Sequence, residues 1–454
     1  MKMFRAGIVT GLMALAFLIN PDVVRAQNFN YRGCAWPIEL SPEGSGNVQG
    51  PDGAARYWAM PFDTHQYETM TIRGNYPHIR YFSFAAYETI AYDAINNTNK
   101  GFHLAEHHLY DAQIAPDPGS SNPFVPPGGG NGTYTVVISR TGPSSGNTIA
   151  VAKEKLVWVV LRMYVADADP SLSGQSLMGG VPLPTITVMD QTGASKQLEA
   201  CFPINKWSDA SAFAQFLYPP DNDLSVAEGT PSSDRLWFAS PLKPPSVQWP
   251  NPDNKYLMMW PGDKYQPGRI IVIHGKAPGF PNTFKGSPIW VPSRGFRTVD
   301  MRYWAMCEHD FALPLSVVDC ATDLKTRLKG GYYTIVISDD RQRPDWLRPN
   351  INWLPYGDEQ YPKFVLFRNM LPATDFPYAI QNAWEAGCTF DLSFSDLPDR
   401  EDLDKAGQCA QPVMGDYYPV AVWCDKSTFV HGGWQACMKR RKLRLSLEEE
   451  HEKG

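Results

Sequence analysis

The chain has 454 residues and a formal charge of −6, with charged side chains making up 19% of it. That balance excludes a nucleic-acid partner gripped by a basic face. Aromatics at 13%, with 40 prolines and 36 glycines, suit short strands joined by many turns, and the length suffices for more than one domain.

Residues 1–26 read as a signal peptide. Lys2 and Arg5 give a positive start, and Ala6 to Ile19 is an uncharged, mostly apolar run. That run falls short of the roughly 20 residues a spanning helix needs. Val24-Arg25-Ala26 fits a peptidase site. Cleavage after Ala26 implies a periplasmic or secreted protein. No later stretch is long and apolar enough to predict a membrane span. All eight cysteines follow the leader, and an even count in an exported chain predicts disulfides. Short spacing suggests Cys307 with Cys320 and Cys424 with Cys437. The lack of a CxxC pair argues against a thiolate zinc site. The crowding of cysteines from Cys388 onward predicts a stapled, loop-rich end.

Residues 27–218 form the predicted N-terminal β module and 255–438 the C-terminal one, with a Pro/Ser-rich linker at 219–254 and a charged tail at 439–454. The division rests on blocks that recur in order. Arg56-Tyr57-Trp58-Ala59-Met60 matches Lys255-Tyr256-Leu257-Met258-Met259. Thr71-Ile72-Arg73-Gly74-Asn75-Tyr76-Pro77 matches Val272-Ile273-His274-Gly275-Lys276-Ala277-Pro278. Arg80-Tyr81-Phe82 matches Arg302-Tyr303-Trp304, Tyr134 to Ser139 matches Tyr333 to Ser338, and Val160-Leu161-Arg162 matches Leu366-Phe367-Arg368. An apolar run that stops at Gly and then Pro is a strand followed by a turn. The expected fold is all-β with few short helices, built as two jelly-roll-like β-sandwich modules from an internal duplication. Ser208 is read as the cap of a short helix through Leu217. Asp375 is read as the cap of another, with Pro377 in its first turn and Gly387 as its stop.

Asn352-Trp353-Leu354-Pro355 and Phe364-Val365-Leu366-Phe367-Arg368, following Tyr333 to Ser338, resemble the bacterial envelope proteins grouped as domain of unknown function 1214. The first module carries the strands but lacks the Asn-Trp-Leu-Pro turn. The resemblance implies a jelly-roll-like sandwich. It implies no established substrate and no catalytic residues.

Candidate chemistry is sparse. His103, His107 and His108 cluster, and on a helix His103 and His107 would share a face at metal-ligand spacing, with Glu106 or Asp111 adding an oxygen. Asp63 and His65 could form an acid–base pair. After Arg302 to Met306, a continued strand would put Cys307 and His309 on one face and Glu308 and Asp310 on the other. A disulfide at Cys307 would remove its nucleophile, leaving His309 and Asp310 for proton transfer. No Gly-x-Ser-x-Gly elbow, dinucleotide loop, Walker loop or His-Glu-x-x-His is present, and no organic cofactor is implied. Trp346, Trp353 and Tyr356 are the predicted ligand-binding rim, for a small-molecule or glycan-like ligand in a groove between the modules. The alternatives are an extracytoplasmic hydrolase or lyase on a polymer, and a metal-dependent enzyme built on the His103 cluster.

Overall fold

The computed structural model describes residues 33–451 apart from 44–45, 90–91, 94–97, 100–101, 105–106, 127, 129–131, 154–155, 167–177, 202–233, 243–248, 263–264, 284–298, 312–314 and 392–399. The predicted signal peptide and the helix predicted from Ser208 lie outside the described residues.

The N-terminal half contains β1 (Cys34–Ala35), β2 (Ile38–Leu40), β3 (Ala55–Asp63), β4 (Tyr67–Asn75), β5 (Ile79–Thr89), β6 (Tyr92–Asp93) and β7 (Thr98–Asn99). It continues with β8 (Phe102–Leu104), β9 (Leu109–Tyr110), β10 (Thr133–Ser139), β11 (Thr148–Ala150), β12 (Leu156–Ala166), β13 (Thr185–Asp190) and β14 (Ser195–Ala200). The C-terminal half contains β15 (Arg235–Leu236), β16 (Ser240–Pro241), β17 (Asn254–Met259), β18 (Arg269–Lys276), β19 (Met301–Asp310) and β20 (Val317–Thr322). Then come β21 (Tyr332–Ser338), β22 (Asn352–Pro355), β23 (Lys363–Pro372), α1 (Ile380–Glu385), β24 (Thr389–Phe390), α2 (Arg400–Met414), β25 (Val420–Asp425) and α3 (Lys426–His451). The fold is all-β, as the composition implied.

Each half has an outer and an inner sheet. The outer sheets run β1-β14-β13-β4-β10-β11 and β15-β25-β18-β21-β22. The inner ones run β2-β3-β12-β5-β8, with β9 also on β5, and β17-β23-β19-β20. Alternation along the inner strands fixes which side chains go where. Val157, Val159, Leu161 and Met163 of β12 enter the core beneath the first outer sheet, while Trp158 and Val160 face the other half. On β23, Val365 and Phe367 enter the core of the second sheet pair, while Phe364 and Leu366 face the first half. Two further apolar clusters therefore lie between the inner sheets, and residues of both halves contribute to each. The result is four stacked layers.

The matched blocks occupy comparable places. Gly74 lies opposite Tyr134 in the β4–β10 pairing and Gly275 opposite Tyr333 in β18–β21. A Cβ at Gly74 would stand 2.6 Å from the Tyr134 hydroxyl oxygen, and at Gly275 2.7 Å from that of Tyr333. Each tyrosine lies across its glycine, which is why the strand signature ends in Ile-x-Gly.

Four disulfides are present: Cys34–Cys201, Cys307–Cys320, Cys388–Cys409 and Cys424–Cys437. Both pairings predicted from short spacing are among them. Such crosslinks fit an extracytoplasmic protein. No helix among the described residues is long and apolar enough to cross a membrane.

Three expectations need correction. The cysteine-rich end is helical rather than loop-rich: Cys409 lies on α2 and Cys437 on α3. Helix α1 is capped at Ala379, not Asp375, so Pro377 precedes the helix; Gly387, at φ 78°, does mark its stop. The described part of 219–254 is not a free connection, because β15 pairs with β25 and β16 with β24 in the second half.

Candidate functional site

Asp63 and His65 do meet. His65 Nδ1 lies 2.9 Å from Asp63 Oδ1 in the exposed β3–β4 turn. The same carboxylate also accepts the His65 N–H and the Gln66 amide, so it caps a turn rather than opening on a cleft. His309 and Asp310 do not converge. They lie on opposite faces of β19, as alternation required. His309 is fully buried, stacked on Phe364 with ring centroids 4.7 Å apart. Burial, followed by the charge of Arg368, depresses its pKa to about 3. Asp310 accepts from the buried Lys363 ammonium at 2.5 Å. Beside them, burial pushes the Glu308 carboxyl well above its usual range.

The helical histidine face is not formed. His103 sits on strand β8, opposite Glu88 of β5, and His107 and His108 follow in non-helical chain. His108 Nε2 lies 3.0 Å from Asp253 Oδ1. Asp111 is engaged by Arg302. A different group, Asp52, Cys307 and Cys320, is close enough to chelate, but both sulfurs belong to a disulfide and offer no thiolate.

The three predicted rim aromatics separate. Tyr356 is fully buried in the core of the C-terminal half, its ring 4.7 Å from that of Tyr265; alternation along β22 and past its end turns it inward. Trp353 is half-buried on the outer face of β22 and donates from Nε1 to Ser338 Oγ at 2.9 Å. Trp346 is half-buried and lines a cavity.

That cavity, about 770 Å³, lies where α3 leaves the outer face of β18, β21 and β25. It falls within the size range of ordinary ligand pockets. His274 points outward from β18 and stacks on Trp434 of α3, centroids 3.7 Å apart and planes 14° from parallel. Tyr332 lies nearly parallel to the same imidazole at 5.5 Å and donates its hydroxyl to Asp416. Burial lowers the His274 pKa to about 4, leaving a neutral ring at neutral pH, with Nδ1 3.0 Å from the Thr334 hydroxyl. Lys329, Arg348 and Asn350 supply exposed polar groups at the margin. Helix α3 breaks at Gly433 (φ 65°, ψ −165°), the residue just before Trp434, and Cys437 ties the segment to β25. Sequence reasoning missed Trp434 because its partner is remote in the chain. The outward side of β18 was readable at His274, one residue before the Gly of the repeated block.

The space between the halves is nearly closed. Arg80 reaches from β5 to Asp323 at 2.5 Å, with neither side chain exposed. Arg302 reaches from β19 back to Asp111 at 3.0 Å. Arg368 of β23 pairs with Asp52. Breaking one such buried pair strands a charge, at a cost of about 3–5 kcal/mol. What remains is a cavity of about 90 Å³, lined by Tyr57, Arg162, Asn251, Leu366 and Arg368 among others.

No family model matches the chain, and no curated protein matches it. Among solved structures it resembles an uncharacterised protein from Burkholderia cenocepacia at 14% identity and TM-score 0.47, with 78% of this chain and 83% of that one covered. A Vibrio parahaemolyticus protein aligns at 12% identity and TM-score 0.34, over 72% of this chain and 86% of that one.

Proposed function

We propose that this is an exported binding protein, duplicated from one strand-turn unit, that takes a ring-shaped polar ligand of the glycan type in the outer cavity. The observation that carries the reading is the Trp434–His274 stack in a cavity of about 770 Å³. An aromatic face buries the apolar side of a sugar ring at small entropic cost, and charged and amide groups at the margin suit hydroxyls. The neutral His274 adds a hydrogen-bonding edge without a charge to desolvate. Export rests on the leader, whose removal would give a mature chain starting at Gln27. The resemblance to domain of unknown function 1214 agrees with an envelope location and adds no ligand.

The test is a binding panel of oligosaccharides and aryl glycosides against the mature protein and Trp434→Ala. The reading expects at least one saccharide to bind, and the variant to lose about tenfold or more in affinity without unfolding. Equal binding by the two proteins, or no saccharide binding at all, overturns it.

A further inference from the structure

The buried polar contacts between the halves come in reciprocal pairs, and one pair is incomplete. Arg80 of the first half meets Asp323 of the second, and Arg302 of the second meets Asp111 of the first. The Phe82 N–H donates to Asp111 and the Trp304 N–H approaches Asp323. Tyr303 donates its hydroxyl to Asp52 at 2.6 Å; Tyr81 donates its own to Asp253 at 2.6 Å, with Asn251 Oδ1 3.1 Å away. Tyr87 donates to the Pro250 carbonyl, and His309 lies 3.4 Å from the Pro51 carbonyl. The aligned blocks set Arg80 with Arg302, Tyr81 with Tyr303, and Arg162 with Arg368. Extending the match of Arg56 with Lys255 back along the chain sets Asp52 with Asn251.

Arg368 therefore has a carboxylate, Asp52, and Arg162 has an amide in its place. Arg162 is 1% exposed. Its Nη2 donates to the Tyr87 hydroxyl at 2.6 Å and the Trp249 carbonyl at 2.8 Å, both neutral acceptors. Its Nη1, the Asn251 amide nitrogen and the Gln49 amide nitrogen are buried with no hydrogen-bond partner among the described residues. Asp253 is occupied by Tyr81 and His108. All three residues with unmatched donors line the cavity of about 90 Å³. A buried guanidinium without an anion costs several kcal/mol, and unmatched donors on residues lining one void are what an oxyanion would satisfy.

We infer that the cavity between the halves binds a small oxyanion, a short carboxylate in the first instance, which supplies from outside the charge that Asp52 supplies at the companion position. Val48, Val160 and Leu366 provide an apolar wall for a short tail. The site is independent of the outer cavity.

Thermal melting of the mature protein tests this, with sodium acetate and sodium phosphate titrated in turn at ionic strength held with sodium fluoride. Acetate should raise Tm saturably by several degrees, and a phosphate response equal to or larger than that of acetate would reassign the ligand class within the same site. Asn251→Asp places a carboxylate in the chain itself, so it should melt higher without acetate and no longer respond. Arg162→Met should also be unresponsive, which keeps the test decisive should the first variant fail to fold. A wild-type Tm indifferent to both anions, or an acetate response retained in Arg162→Met, overturns the inference.

Discussion

At the scale of single residues, burial decides most of what the side chains can do. His309 is an imidazole held uncharged by its surroundings, its pKa near 3 against an ordinary 6.5. The unfolded chain takes up a proton that the folded one refuses. The stability His309 confers is thus complete above pH about 6.5 and is lost as pH falls toward about 3. Melting temperatures of wild type and His309→Gln across that window should converge as pH falls, since every other titrating group is common to both. Parallel curves would show that His309 titrates freely. Trp353 makes a second residue-scale case. It packs, partly buried, against the apolar cluster beneath α3, so Trp353→Ala should cost about 2 kcal/mol of stability, read by urea unfolding. A ligand rim would have lost binding at unchanged stability.

At the scale of elements, the Cys424–Cys437 crosslink is the feature that shapes the outer cavity. It closes a loop with a sequence separation of 13 and holds the part of α3 just past Gly433 on β25. Loops of that size are worth about 3 kcal/mol in the unfolded-chain account. The double variant Cys424→Ser with Cys437→Ser should lose about that much and weaken the proposed saccharide binding, because Trp434 would no longer be held over His274; unchanged affinity would remove α3 from the proposed site. Much at this scale could be read from the sequence. The Ile-x-Gly blocks are strands, as their apolar runs implied, and the glycine is there because a tyrosine on the neighbouring strand needs the space of a missing Cβ. Alternation along β19 put His309 and Asp310 on opposite faces, and short spacing picked out Cys307–Cys320. What could not be read depends on partners far apart in the chain. Tyr356 follows a strand whose inward face only the assembled sheet defines. Helices α2 and α3 carry glycines, a proline and polar residues that mimic loop composition, and packing against the sheets holds them. The His103 cluster has helical spacing, but pairing with β5 draws His103 into a strand.

At the scale of the whole molecule, the halves are joined by an apolar layer pierced by ion pairs. Recurring blocks in the sequence suggest a groove between two modules; the charges that cross between the halves are invisible until both sheets are in place. The inner faces carry Arg80, Arg302 and Arg368, each answered by an aspartate of the other half. Neither half alone would satisfy these groups. Arg80→Met should accordingly cost about 3–5 kcal/mol by leaving Asp323 buried and unpaired. Differential scanning calorimetry of the protein puts the four-layer arrangement to the most direct test. A single transition, with calorimetric and van't Hoff enthalpies equal, is the predicted result. Two resolved transitions, with Arg80→Met leaving both in place, would contradict it.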